Sequence, residues 1–535
     1  MANGNAAAKA GQASDEAMAR LADRVNAANR IGMAPSVWAE LQPDKVAVWE
    51  AGGAALTFAE LNAGANRIAR MIRGAGLGPG DAVALVCTNR HAFPIVIAGA
   101  FRVGVRLTPV NWHLTAEEIA YVVTDCEAKA IFVDVKVPAG AEAAELCSDL
   151  QLKVALGGSL PGFATFEAVA PTIDASDIDD PVRGSTMLYT SGTTGRPKGV
   201  YKPNVPLPVF DAEEYLNGDV HLCTGPGYHA SPLLGDIRKP TLNGVATVLL
   251  DKWDSETVLQ LIERHRVTRG HFVPIMFQRL LALPKEVRDR YDTSSIRRIS
   301  HGAAPISPEV KRATIEWLGP VLYEYYAGSE GGVGFWVTSE EWLAKPGTVG
   351  RMPRPGAAKI LDAEGNELPR GVPGYIYMSL QDQGGFSYFK SDEKTHAGRR
   401  GDFFTMGDIG YFDEDDYLFL TGRDAETIIA GGVNIYPQEI DNELIKHPAV
   451  EDSCTIGVPH EERGEEVRSV IQLRPGFEAS DGLRQEILDF AAQHLAKFKM
   501  PRGIDFAEKL PRNEAGKIQR NKVRTPYWEG RARQI

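Results

Sequence analysis

The chain has 535 residues, of which 44% are hydrophobic and 24% charged, and its formal net charge is −12 because 70 Asp and Glu outnumber 58 Lys and Arg. This length exceeds that of one ordinary domain and supplies enough apolar material for a large core. The acidic balance argues against a general nucleic-acid-binding protein, since such proteins are usually basic.

The number and spacing of the cysteines and the lack of long apolar runs indicate the cellular compartment of the protein. The five cysteines are far apart and form no CxxC pair: Cys87, Cys126, Cys147, Cys223 and Cys454. This pattern supports neither a disulfide framework nor a structural zinc site and suits a reducing compartment. The N-terminal residues lack the apolar stretch of a signal peptide, and no run of about 18 apolar residues occurs. We therefore predict a cytoplasmic protein with no transmembrane segment.

Strand-like runs alternate with helical patterns along most of the chain. Residues 1–30 form an Ala-rich lead that is either loosely ordered or a surface helix. Residues 82–87, 130–133 and 246–250 predict buried strands, and residues 61–73 carry apolar side chains at helical spacing. Alternation of this kind predicts an α/β architecture with largely parallel sheets.

The pattern changes near residue 420. Pro437 suits the first position of a helix, and residues 454–458 and 469–473 are strand-like. This shorter block predicts a small α+β lid domain behind a large N-terminal domain. The predicted divisions are a lead at 1–30, a large domain at 31–421, a hinge at 422–425 and a lid domain at 426–535.

Residues 189–200, YTSGTTGRPKGV, follow a strand-like run and predict a phosphate-binding loop. Three glycines in eight residues let the backbone bend and bring N–H groups close to a ligand. Hydroxyl and cationic side chains add donors for phosphate oxygens. The loop does not fit the Walker A spacing, and a mobile surface loop is the plain alternative.

This loop resembles the signature of the adenylate-forming superfamily, which includes acyl-CoA synthetases, adenylation domains of peptide synthetases and beetle luciferases. The resemblance covers residues 31 to 525, with several motifs in the expected order. It implies a large N-terminal domain of parallel-rich sheets with flanking helices and a distorted barrel, followed by a small α+β lid. It also implies ATP, Mg²⁺ and coenzyme A as substrates and cofactor. The implied reaction forms acyl-AMP and then a thioester.

The resemblance assigns the nucleotide site residue by residue. Tyr326 is expected to stack on adenine, Ser329 to meet the α-phosphate, and Glu330 to bind Mg²⁺ together with Thr190, which is also expected to be catalytic. Asp408, in a segment similar to YRTGDLG, and Arg423 are expected to reach the ribose. The remaining residues implied for nucleotide binding are Ser191, Gly192, Thr193, Thr194, Gly195, Lys198, Gly302, Ala303, Ala304 and Tyr325.

The resemblance also assigns roles in the lid. Lys517, in a segment similar to PRTxSGKI, is expected to bridge the substrate carboxylate and the α-phosphate, where negative charge builds up during transfer. Gly431 and Gly432 are expected to border the coenzyme A tunnel. Ala425 departs from the family, which has Asp or Lys at this hinge position. Of the other basic residues near the C-terminus, including Arg520, some could face the phosphates of coenzyme A, and most are expected to form a solvated surface.

The residues near the expected acyl pocket bear on the choice of acid. His229 stands where amino-acid-activating relatives have Asp, which argues against an amino-acid substrate and makes His229 a candidate catalytic residue; a core histidine is the plain alternative. Small residues at 302–304 and Gly328 predict room for a fatty or bulky alicyclic acid. Coenzyme A is the expected acceptor. A ligase that loads a carrier protein, a non-catalytic acyl or nucleotide sensor and a luciferase-like oxidase stay open, as does a homodimer.

Overall fold

The structure is a computed structural model that describes residues 2–190, 197–202, 206–381, 385–430, 433–461, 463–513 and 516–529. Side chains are described from residue 15 onward, except those of residues 332, 333, 425 and 434. The chain forms two compact units. The first comprises residues 1–272, 285–299 and 383–395, and the second comprises residues 273–284, 300–382 and 396–535.

Helices are distributed along the whole chain, and many begin at a side chain that caps the free backbone N–H groups. Thr57 and Glu60, for example, form a reciprocal capping box at the start of the helix Phe58–Gly74. The α-helices are Ala2–Arg30, Ala34–Leu41, Phe58–Gly74, Ala92–Ala100, Ala116–Asp125, Pro138–Glu145, Phe166–Val169, Ala212–Leu216, Lys239–Asn243, Ser255–His265, Pro274–Leu281, Lys285–Arg288, Pro308–Leu318, Ser339–Ala344, Asp392–Ala397, Pro437–Leu444, Asp481–Ala492 and Arg520–Trp528. A π-helix covers Pro232–Arg238, and 3₁₀ turns cover Ala170–Thr172 and Asp424–Glu426.

The first unit is built on mainly parallel sheets. One has the strand order Ala164–Thr165, Leu152–Leu156, Ala128–Asp134, Ala82–Val86, Arg106–Pro109, Ser185–Thr186, all paired in parallel. A second has the order Arg269–Phe272, Val220–Cys223, Ala246–Leu249, Val46–Glu50, Ala55–Thr57, with only the last pair antiparallel. Their strands are almost continuously apolar because both faces are covered. A small antiparallel sheet joins Leu188–Thr190, Lys198–Tyr201 and Ser387–Tyr388.

The second unit is mainly antiparallel. Strands Leu322–Gly328 and Gly331–Thr338 form a hairpin, and the strand Arg298–His301 precedes them. A further sheet contains Thr348–Arg351, Tyr417–Arg423, Asp408–Phe412, Gly374–Ser379, Phe403–Phe404 and Arg399–Arg400, with Ala358–Leu361 beside Gly374–Ser379. The last sheet contains Val433–Ile435, Ile428–Ala430, Gly464–Leu473 and Val450–His460, with Gly503–Ala507 parallel to Gly464–Leu473.

These elements confirm the predicted fold class, an α/β protein with parallel sheets and a smaller C-terminal α+β part. The predicted strands at 82–87, 130–133 and 246–250 lie in the parallel sheets, and Pro437 begins a helix as expected. The lead is a helix from Ala2 to Arg30. A 3₁₀ turn covers Asp424–Glu426, and the division at 422–425 stays a prediction.

Two further observations concern the cysteines and the membrane. All five cysteine side chains are buried and none forms a disulfide. Within the described residues, no helix is both long enough and apolar enough to cross a bilayer.

Candidate functional site

The centre of the candidate site, in the second unit, is the carboxylate of Asp408, which has two side-chain partners. Asp408 is buried, with 5% of its surface exposed. Arg423 donates from Nε to Oδ1 of Asp408 at 2.6 Å, and the Tyr326 hydroxyl donates to Oδ2 at 2.7 Å. An ionised carboxylate has about four acceptor positions, so two remain for further donors. The site can therefore accept hydrogen bonds from a vicinal diol without losing its protein contacts.

Sheet register explains why these residues meet. Asp408 begins the strand Asp408–Phe412 and is directly paired with Arg423, the last residue of Tyr417–Arg423. In an antiparallel pair, opposite side chains lie on the same face and close together. The Asp424 N–H also donates to the Gly407 carbonyl at 2.9 Å, and Gly407 has a φ of +79°, which glycine adopts without strain. Neighbouring sequence thus fixes the carboxylate and the guanidinium together.

Lys517 lies in a tight turn of the same unit. The Asn513 side chain accepts from the Lys517 N–H at 2.9 Å, and the Gly516 N–H donates to the Asn513 carbonyl at 2.8 Å. Burial and the nearby Arg423 guanidinium lower the pKa of the Lys517 amine, and Glu426 and Asp408 partly offset this change. Lys517 is therefore within electrostatic range of Arg423 and Asp408.

A buried ion-pair network beside Lys517 corrects one sequence expectation. Arg520, expected on a solvated basic surface, is buried and pairs with Glu426 at 3.2 Å (Nε to Oε2) and with Asp441 at 3.0 Å (Nη2 to Oδ2). Burial alone would raise the pKa of Glu426, but Arg520, Lys517 and Arg423 lower it overall. The network joins the turn Asp424–Glu426 to the helices that contain Asp441 and Arg520. A count of charged residues in the sequence could not distinguish an enclosed Arg520 from an exposed one.

The small residues expected to leave room for the acid are closely packed. A Cβ placed on Gly328 would lie 1.9 Å from the Met406 sulfur, and one on Gly302 would lie 2.6 Å from the Tyr325 carbonyl oxygen. Ala303 has a left-handed φ of +67°, and Ala304 is half-buried. Neighbouring atoms therefore occupy the space beside Gly302 and Gly328, and the smallness of these two residues is not a measure of the acyl pocket.

Ser329 and Glu330 lie in the turn between the strands Leu322–Gly328 and Gly331–Thr338, and both are half-buried. The Glu330 carboxylate lies against Gly328, with Oε2 3.2 Å from the position of a Cβ on that glycine. Over the part of the chain that the structure describes, no three His, Cys, Asp or Glu side chains form a metal cluster.

The predicted phosphate loop connects two paired strands of the first unit. Thr190 is opposite Lys198 in the antiparallel register, and the Phe389 N–H donates to the Gly199 carbonyl at 2.8 Å. The Lys198 amine lies 5.2 Å from the centre of the Tyr388 ring. The base of the loop is therefore held by three strands. Ser191, Gly192, Thr193, Thr194 and Gly195 lie outside the described residues, as do Gly431 and Gly432, and the Ala425 side chain is likewise outside them.

His229 lies in the first unit, just before the helical segment that contains the π-helix Pro232–Arg238. It is half-buried, and its ring centre is 4.7 Å from that of Tyr228. Burial and the nearby His229 lower the pKa of His271 to about 4. His229 is thus more accessible than a core histidine and has a second histidine close by.

The first unit also contains a buried cluster of charged side chains that the sequence did not predict. His221 is buried between Glu214 and Asp236, each 3.6 Å from one ring nitrogen. Burial would lower the pKa of His221, but the two carboxylates raise it, and burial raises the pKa of Asp236 to about 6. Lys239 also pairs with Glu214 at 2.7 Å. These residues are spread over 26 positions that contain no recognisable motif, so their spacing in the sequence does not reveal the cluster.

Comparisons with known proteins show which proteins this chain is similar to. The fatty acid–[acyl-carrier-protein] ligase ScoC of Streptomyces coeruleorubidus is 30% identical over 500 residues, which cover 90% of this chain and 94% of that protein. A feruloyl-CoA synthase of an Amycolatopsis species is 30% identical over 513 residues, covering 93% and 99% of the two chains. ATP-bound MatB from Rhodopseudomonas palustris has a TM-score of 0.76 at 28% identity, covering 92% of this chain and 99% of its own.

Family models match both parts of the sequence. The model described as AMP-binding enzyme matches residues 36–382, and the model described as AMP-binding enzyme C-terminal domain matches residues 439–517. The first match alone covers more than half of the chain. The chain belongs to the AMP-binding enzyme family.

Proposed function

We propose that the protein is an acyl-CoA synthetase that activates a hydrophobic carboxylic acid with ATP and transfers the acyl group to coenzyme A. In the first step a carboxylate oxygen attacks the α-phosphorus, and pyrophosphate leaves. In the second step the thiol sulfur attacks the acyl carbon, and AMP leaves. The observation that carries the proposal is the cluster of Asp408, Arg423 and Tyr326 with Lys517 within electrostatic range.

Each member of this cluster has a chemical role in the proposed reaction. Asp408 holds the ribose hydroxyls through its two remaining acceptor positions. Arg423 orients that carboxylate through its Nε–H donor. Lys517 supplies positive charge where negative charge develops on the α-phosphate, and stabilisation of this kind is often the largest contribution to catalysis. No side chain is required as a covalent nucleophile, because positioning and charge carry the reaction.

Mg²⁺ fits the residues present. Glu330 offers a hard carboxylate oxygen and Thr190 a hydroxyl, and Mg²⁺ commonly binds one or two protein oxygens together with substrate phosphates. When bound, the ion would neutralise phosphate charge during transfer. Glu330 and Thr190 are its proposed ligands in this chain.

The nature of the acid rests on the relatives and on His229. Relatives are named for fatty acids and for ferulate, which are acids without an α-amino group. His229 provides no carboxylate for an ammonium group, which is consistent with such acids. We propose that the substrate is a fatty or aromatic hydrophobic acid. The close packing at Gly302 and Gly328 removes the support that these small residues gave to a bulky alicyclic acid.

A second candidate is a ligase that loads a carrier protein. It is favoured by one observation, the 30% identity to a fatty acid–[acyl-carrier-protein] ligase over 90% of the chain. The two candidates share the first step and differ only in the thiol that accepts the acyl group.

The decisive experiment has two stages. Pyrophosphate release is first measured with ATP, Mg²⁺ and a panel of fatty, aromatic, alicyclic and amino acids. The preferred acid is then offered with coenzyme A or with a phosphopantetheinylated carrier protein, and thioester is quantified. We expect a hydrophobic acid to be activated and coenzyme A to accept it. Faster transfer to the carrier protein would replace the first candidate with the second, and nucleotide binding without pyrophosphate release would contradict both.

A further inference from the structure

A cleft in the first unit is lined by none of the residues predicted for the nucleotide, the metal or the acid. Its free space of about 520 Å³ includes open solvent, so it is an open cleft and not an enclosed cavity. Its apolar wall includes Pro94, Ile97 and Ala98 from one helix and Leu242 from another. The cleft is therefore a separate candidate site.

Two arginines line the same cleft and share one aromatic ring. The guanidinium carbon of Arg238 lies 4.5 Å from the centre of the Phe101 ring, and that of Arg183 lies 5.3 Å from it. Arg183 also donates to the Asn29 side-chain oxygen at 2.6 Å. Contacts with an aromatic face stabilise a guanidinium but leave its in-plane N–H donors available to other acceptors.

No carboxylate neutralises this pair among the described residues. Arg238 has no hydrogen-bond or ion-pair partner there, and the bonds of Arg183 go to the neutral Asn29. Burial and the neighbouring Arg183 lower the pKa of Arg238 to about 10. Two like charges in a partly dry cleft without a counter-charge are costly, so an anion bound there would be favourable.

We propose that this cleft binds an amphiphilic anion, with its carboxylate or phosphate head on Arg238 and Arg183 and its hydrocarbon chain against Pro94, Ile97, Ala98 and Leu242. A guanidinium fork matches both kinds of head group and can bind either in a bidentate manner. The apolar wall accounts for the chain, since its burial supplies most of the affinity of such ligands. This inference does not depend on the proposed function.

The test uses the full chain without ATP and three probes with the same ten-carbon chain: decanoate, decyl phosphate and decanol. Isothermal titration is performed on the parent protein, on Arg238→Met and on the control Arg20→Met, which removes an exposed arginine of the same unit. We expect one or both anions to bind the parent, and Arg238→Met to weaken that binding at least about tenfold while Arg20→Met does not. The stronger of the two anions identifies the head group.

Several outcomes would overturn the proposal. Decanol binding as tightly as the anions would remove the role of the arginines, and inorganic phosphate binding as tightly as decyl phosphate would remove that of the apolar wall. Decanoate binding equally to the parent and to Arg238→Met would place the ligand elsewhere, for example in the acyl site. If Arg238→Met does not fold, two other variants decide the question. Arg238→Lys keeps the charge but loses the guanidinium fork, and Ala98→Leu narrows the cleft. Unchanged anion affinity in both variants would refute the proposal.

Discussion

Two buried carboxylate clusters use similar groups in opposite ways. Around Asp408 the charges are paired, but the carboxylate keeps free acceptor positions and Arg423 remains partly exposed. Around His221 the side chains of Glu214 and Asp236 are almost fully enclosed, and each carboxylate is paired with the histidine ring. The comparison teaches that burial with mutual partners indicates a structural role, whereas pairing with spare acceptor capacity indicates a site for a ligand. Substitutions in the first cluster should change activity, and those in the second should change stability.

The largest expected effect is that of Lys517→Ala. Loss of a cation aimed at the transition state commonly costs about 10²- to 10³-fold in rate, so acid-dependent ATP–pyrophosphate exchange should fall by at least about 100-fold. Thioester formation from synthetic acyl-AMP should fall much less. The control is Lys522→Ala, an exposed lysine nearby. An unchanged exchange rate would show that Lys517 has no catalytic role.

Asp408→Asn should affect both activity and stability. It leaves the Arg423 guanidinium without its carboxylate, so we expect kcat/KM for ATP to fall by about 10- to 100-fold and stability to fall by about 1–3 kcal/mol. Tyr326→Phe removes one hydrogen bond from the same carboxylate and should cost only about 1 kcal/mol. Steady-state kinetics and urea unfolding measure the two quantities. Equal losses in the two variants would mean that the ion pair contributes little.

Asp236→Asn should change stability with pH and leave activity near that of the parent at pH 8. The folded pKa of Asp236 is about 6, above its ordinary value of 3.8, so its contribution is present below pH 4 and is lost as the pH rises through 6. The full span corresponds to about 3 kcal/mol. The difference in melting temperature, parent minus variant, should therefore decrease from pH 4 to pH 6.5. A difference that increases over this range would contradict the assignment.

The smallest expected effect is that of Ala425→Asp, which restores the hinge residue typical of the family. Asp424 is already held by the Tyr375 hydroxyl at 2.9 Å and by Gly407, and Glu426 by Arg520, so residue 425 is flanked by fixed neighbours. We expect only a few-fold change, confined to the thioester step, because a lid swing would limit that step. Stopped-flow measurement of both steps tests this, and a larger change in adenylation would argue against a hinge role.

The sequence predicted the parts of the molecule in which neighbouring residues determine the geometry. The superfamily, the enzyme class of an AMP-forming acid–thiol ligase and the α/β fold are confirmed by the family match and by the sheets. Asp408 and Arg423 meet because adjacent strands place them opposite each other, and Lys517 occupies a turn that its own segment specifies. The roles of these residues remain proposals for the experiments above.

What the sequence did not predict depends on packing between distant residues. Met406 fills the space beside Gly328, although 78 positions separate them. Arg520 is buried because Glu426 and Asp441 reach it from other segments. The arginine cleft is lined by residues from five separate parts of the chain. Spacing within a motif carries no information on such contacts.

The five buried cysteines have a practical consequence. Burial raises the pKa of each of these thiols, and alkylating reagents act on accessible thiolates. A single cysteine introduced at an exposed position, such as Asp44 in the first unit or Asp481 in the second, should then take up a maleimide dye in the natural background. A pair of such positions would allow the proposed lid movement to be tested by fluorescence energy transfer during a single turnover.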